Sequence, residues 1–73
     1  MLLEDPGGRV VGIEVKASST VRPEDLRGLR VLAEELGKRF VRGVVLYSGA
    51  DCVPFGPNLH AIPVSALWRL GAE

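Results

Sequence analysis

One cysteine, Cys52, and one histidine, His60, are all that the 73-residue chain has of either type. An internal disulfide is therefore excluded, and so is a structural zinc site assembled from three or four Cys/His ligands of one chain. Charge of one sign is lacking as well. Nine basic and nine acidic side chains cancel, so no overall field draws the chain to nucleic acid or to an anionic membrane, and any such binding has to be local. The opening has no basic segment and no long apolar run, because Met1-Leu2-Leu3 gives way at once to Glu4 and Asp5. That pattern predicts neither a signal peptide nor a membrane anchor, and the chain is read as cytoplasmic. No Gly-x-x-x-x-Gly-Lys-Ser/Thr run occurs, which removes a phosphate-binding loop of the ATPase type. Internal repeats and low-complexity stretches are missing too.

What is present is apolar enough to fold: 47% of the residues are hydrophobic, with ten leucines and ten valines, far above the range of disordered tails. The length makes residues 1–73 one domain. The predicted class is α/β, a small mixed sheet of about four to five strands with one main helix and a short C-terminal helix. Asp5-Pro6-Gly7-Gly8 is a turn signal, since proline presets a negative φ and glycine accepts a positive one. It separates Met1 to Glu4 from Arg9 to Lys16, which read as a hairpin. Period-two alternation sends Val11, Ile13 and Val15 to one face and Val10, Gly12, Glu14 and Lys16 to the other.

Pro23 suits the first helical position, and Glu24 and Asp25 suit the positive end of the helix dipole. Leu26, Leu29, Leu32, Ala33 and Leu36 recur at helical spacing, and Gly37 supplies the stop. Gly28 reads as a tolerated interior glycine costing about 1 kcal/mol. Gly43 to Tyr47 is a continuous apolar strand, and the strand–helix–strand spacing predicts a right-handed parallel crossover. Cys52 to Phe55 is expected to turn back antiparallel to that strand, giving the spatial order hairpin, strand 43–48, strand 52–55. Pro54 confines the last of these to an edge or a bulge. Leu59 to Ile62 is a further short extended piece, and Val64, Leu67 and Trp68 mark the inner side of a closing helix.

Glu14-Val15-Lys16 is the constellation that invites a mechanism. A carboxylate and an ammonium at i and i+2 lie on one face, with the Val15 carbonyl in plane between them. Glu14 and that carbonyl could hold a magnesium ion while Lys16 stabilises a hydroxide or a phosphate charge. As a bare pattern, Glu-x-Lys is weak and is better explained by a solvated charge pair on a strand face. Elsewhere the structural explanation is the simpler one. His60 reads as a partly exposed strand residue and Cys52 as a small buried hydrophobe. Ser18, Ser19 and Thr20 read as loop formers. Arg22, Arg27, Arg30, Lys38, Arg39 and Arg42 could make a basic strip, but Glu34 and Glu35 interrupt it and are expected to pair at i+4 with Lys38 and Arg39. Nucleic acid is therefore not the expected partner, and neither is a membrane.

Taken together, Gly12-Ile13-Glu14-Val15-Lys16-Ala17-Ser18, the Asp25-Leu26-x-x-Leu29 helix, Gly43-Val44-Val45-Leu46-Tyr47 and Ile62-Pro63-Val64-x-x-Leu67-Trp68 resemble the C-terminal part of the domain-of-unknown-function 4143 family. The resemblance runs from Val11 to Trp68. It implies the last domain of a prokaryotic AAA-type ATP-binding protein and a truncated restriction-endonuclease-like core, the PD-(D/E)XK fold. On that resemblance Glu14 and Lys16 are the Glu and Lys of the nuclease motif, and Val15 lends its carbonyl to the metal. The motif's aspartate has no counterpart here; it would fall at or just before Met1, so the chain is expected to be a fragment or short reading frame. Glu4, expected opposite Arg9 and roughly 17 Å along the strand from Glu14, is a poor substitute.

Two functions follow from different classes. One is a non-catalytic remnant serving as a packing or interaction module, needing no cofactor. The other is a magnesium-dependent nuclease completed by a carboxylate from a partner chain. Met1 to Glu4 is expected to be a bare sheet edge with Leu2 or Leu3 exposed, so self-association as a two-fold dimer is predicted.

Overall fold

The computed structural model describes residues 1–66. Asp5 builds the first turn with its own carboxylate: Oδ1 accepts the N–H groups of Gly7 and Arg9 at 2.9 Å each, and Oδ2 accepts the Arg9 Nε–H at 2.7 Å. Gly8 takes φ +85°, a value open to glycine. Strands β1 (Leu2–Glu4) and β2 (Val10–Val15) leave this turn antiparallel, with Leu2 opposite Gly12 and Glu4 opposite Val10. The expected facing of Glu4 and Arg9 is thus corrected by one residue, because Arg9 is inside the loop and accepts the Asp5 N–H on its carbonyl at 2.9 Å.

A 3₁₀ turn at Pro23–Leu26 leads into α1 (Arg27–Leu36), which Gly37 ends at φ +56°. The chain returns as β3 (Phe40–Tyr47), parallel to β2. The strand begins at Phe40 rather than Gly43 because a bulge between Val10 and Val11 lets Phe40 lie opposite Val10 before Gly12 meets Gly43.

The expected spatial order fails beyond this point. β4 (Val53–Gly56) does not pair with β3; β5 (Leu59–Pro63) lies between them, parallel to β3 and antiparallel to β4. The five strands run β1-β2-β3-β5-β4. Donor chemistry and burial explain the choice. Pro54 has no N–H to give a central ladder, whereas Leu59, Ala61 and Pro63 form one buried row next to Val45. Residues 64–66 start the expected closing helix, and Leu67 and Trp68 lie outside the described residues.

The core sits between α1 and one face of the sheet. Leu26, Leu29, Phe40, Val45 and Leu59 form it, with Leu32, Ala33, Leu36 and Phe55 at its margin. Gly12 and Gly43 are neighbours in register directly under Leu29. With no Cβ on either, the helix approaches the sheet closely. The opposite face carries no part of α1 and is mainly apolar: Leu3, Val11, Ile13, Val44, Leu46 and Ile62 share it by register, with Arg42 and His60 in the same rows. No helix among the described residues is long and apolar enough to cross a membrane.

Candidate functional site

Glu14 and Val15 close β2 and Lys16 follows them, at the end where the chain leaves for α1. Alternation holds, so Glu14 shares the α1 face with Gly12, and Val15 points to the other face, 70% exposed. The Lys16 N–H donates to the Leu46 carbonyl at 2.8 Å and the Ile13 N–H to the Met1 carbonyl at 2.8 Å. Val15, between them in parity with Ile13, therefore directs its carbonyl to the β1 side, one pair beyond Met1. All three predicted residues line one open pocket of about 310 Å³ together with Asp25 and Val45.

Asp25 is the residue that sequence reasoning missed. The Lys16 ammonium donates to Asp25 Oδ2, and the same oxygen accepts the Arg22 N–H at 2.8 Å. The Lys16 hydrogen bond foremost, and the Arg22 N–H after it, hold the Asp25 carboxyl below the ordinary aspartate value. A signal for this was present. In a parallel crossover the first helical turn follows the C-terminal end of the strand it leaves, so an acid two residues after Pro23 is carried back toward Lys16. No group of three His, Cys, Asp or Glu side chains able to hold a metal ion occurs among the described residues. Glu4 is at the far end of the hairpin, where Arg39 Nη2 lies 3.5 Å from its Oε2.

The profile of the family described as Domain of unknown function (DUF4143) matches residues 1–67. The chain belongs to that family. No curated protein and no solved structure matches it. Within this DUF4143 domain the remaining candidates resolve as follows. Ser18 is a loop former: its Oγ accepts the Thr20 N–H at 3.1 Å and its carbonyl accepts the Ser48 N–H at 2.8 Å. His60 is a half-buried residue of β5 whose Nδ1 has no hydrogen-bond partner among the described residues. Cys52 is exposed, not buried, because it lies in the turn ahead of β4 at the sheet margin. Arg30 reaches the Phe55 carbonyl at 3.0 Å and Arg39 the Gly8 carbonyl at 2.8 Å. The expected Glu35–Arg39 pair is replaced by the contact of Arg39 with Glu4, since Gly37 ends α1 and removes i+4 spacing beyond it.

Proposed function

We propose that this domain is a non-catalytic packing or interaction module, the remnant of a nuclease-like C-terminal domain of a cytoplasmic ATP-binding protein. The observation that carries the reading is the engagement of Lys16 by Asp25. A lysine that stabilises hydroxide or phosphate charge has to present its ammonium to the reacting group; here that ammonium is held by a carboxylate kept ionised by two donors. Glu14 and the Val15 carbonyl would supply only two oxygens to a magnesium ion, which would leave most of an octahedral shell to water. The exposed side chains of Met1, Leu2, Leu3 and Val15 are what such a module offers to a partner.

A magnesium-dependent nuclease is the second reading. It is favoured by the presence of Glu14 and Asp25 in one pocket, and it requires a further carboxylate from a partner chain. Titration calorimetry of the full chain with MgCl₂ and MnCl₂ separates the two. The module reading expects no site tighter than about 10 μM. A tighter site that is lost in Glu14→Gln, accompanied by metal-dependent cleavage of plasmid DNA, overturns it.

A further inference from the structure

We infer that a second copy of this chain pairs with β1, antiparallel about a two-fold axis at Leu3, joining two five-stranded sheets into one. This deepens the interaction-module reading and rests on it only for the claim that the chain works through its surface. The two edges of the sheet are treated differently. At β4 the edge is blunted, since Pro54 lacks an N–H and the pairing slips between Pro54 and Gly56. β1 has neither proline nor bulge, and Met1, Leu2 and Leu3 stand 76, 58 and 52% exposed.

The hydrogen-bond parity of β1 selects the partner and the register. The Met1 ammonium donates to the Ile13 carbonyl at 2.7 Å, the Ile13 N–H donates back at 2.8 Å, and the Asp5 N–H donates to the Arg9 carbonyl at 2.9 Å. Main-chain groups of Met1, Leu3 and Asp5 thus face β2, and those of Leu2 and Glu4 face outward. An antiparallel copy satisfies both outward residues when Leu2 lies opposite Glu4 of the second copy, where they exchange both bonds, and the two-fold repeats the exchange. Centring on Glu4 sets like charges face to face.

In the selected register Leu3 meets Leu3 of the second copy on the face shared with Val11. Met1 of the second copy stands opposite Asp5, over an open pocket of about 320 Å³ whose apolar lining is Leu3, Val11 and Val41 and whose rim includes Glu4, Asp5 and Arg9. Charge does not oppose the union: the net charge is zero, and each Glu4 keeps Arg39 of its own chain within 3.5 Å. The strand therefore supplies main-chain bonds, an apolar contact and a pocket for the same side chain that its copy presents, which is the self-complementarity an isologous interface needs.

The full chain with Cys52→Ser, to remove the free exposed thiol, carries the test. Non-hydrogen-bonded antiparallel neighbours have Cα atoms about 4.5 Å apart, within disulfide range, whereas Leu2 is diagonal to its own copy at about 7–8 Å. Light scattering at about 100 μM is expected to give twice the mass of 7.8 kDa. On mild oxidation Leu3→Cys is expected to form a covalent dimer at least roughly tenfold faster than Leu2→Cys. Leu2→Pro removes an outward N–H and leaves the β2 ladder intact, so the dimer should weaken by about tenfold or more with an unchanged circular dichroism spectrum. A 7.8 kDa species at that concentration overturns the proposal. So does a dimer in which Leu3→Cys crosslinks no faster than Leu2→Cys, an outcome that leaves the module reading standing; the metal titration tests that reading separately.

Discussion

Replacing Gly43 with alanine places one methyl group where the helix and sheet come closest. The added Cβ would sit 2.7 Å from Leu59 Cδ2, 3.0 Å from Phe40 Cζ and 3.3 Å from Leu29 Cδ1, whereas carbon atoms rest at about 3.5–4.0 Å. Each of these neighbours is buried, with Leu59 at 4% and Phe40 at 6% exposure, so relief of one contact compresses another. Overpacking of this kind costs about 1–3 kcal/mol, and the loss of glycine's chain entropy returns about 0.5–1 kcal/mol. A net loss of about 1–2 kcal/mol corresponds to a fall in Tm of about 5–15 °C in a domain this small. Gly28→Ala is the internal control, since a Cβ there meets nothing within 4 Å; it should raise Tm by about 2–8 °C through helix propensity alone. Gly12→Ala should fall between them, because its tightest contact is 2.8 Å to Leu29 Cδ2 and its next neighbour, Leu32, is only half-buried and able to move. Thermal melts followed by circular dichroism at 222 nm would measure all three. A Gly43→Ala protein that melts at or above the parent, or a Gly28→Ala protein that melts below it, refutes the close-approach argument.

Leu26, with 0% exposure at the centre of the core cluster, should lose about 2–5 kcal/mol on change to alanine, read as a lower urea midpoint with an unchanged slope; a loss below about 1 kcal/mol would show that the cluster is not the core. Acid should destabilise the fold. The Arg9 N–H and guanidinium hold Asp5, and Lys16 with the Arg22 N–H holds Asp25, below the ordinary value of 3.8; a depressed folded-state value contributes stability that is full above 3.8 and lost as pH falls through the depressed value. Tm should therefore drop from pH 4 downward, and less steeply in Asp25→Asn; a Tm that holds or rises between pH 4 and pH 2 contradicts the assignment.

The sequence by itself determined the local elements. Asp5 to Gly8 specifies the hairpin because its turn chemistry needs no distant partner, and Pro23 and Gly37 bound the helical segment for the same reason. Period two put Glu14 and Lys16 on one side of β2, and spacing alone gave the parallel crossover to β3. Tertiary structure decided which strand fills the place beside β3. Both 52–55 and 59–62 read as short extended pieces, and only packing against α1 distinguishes them: Leu59 and Ala61 present a buried apolar row to that helix, while Pro54 lacks the donor that a strand paired on both sides supplies. The same insertion leaves Cys52 in an exposed turn at the sheet margin, against the burial expected of a lone cysteine. The Lys16–Asp25 bond, across nine residues of chain, likewise forms only in the folded chain. Local conformational preference reaches only a few residues along a chain, so pairings between separate segments are settled by which apolar faces and hydrogen-bonding groups fit together once the chain is compact.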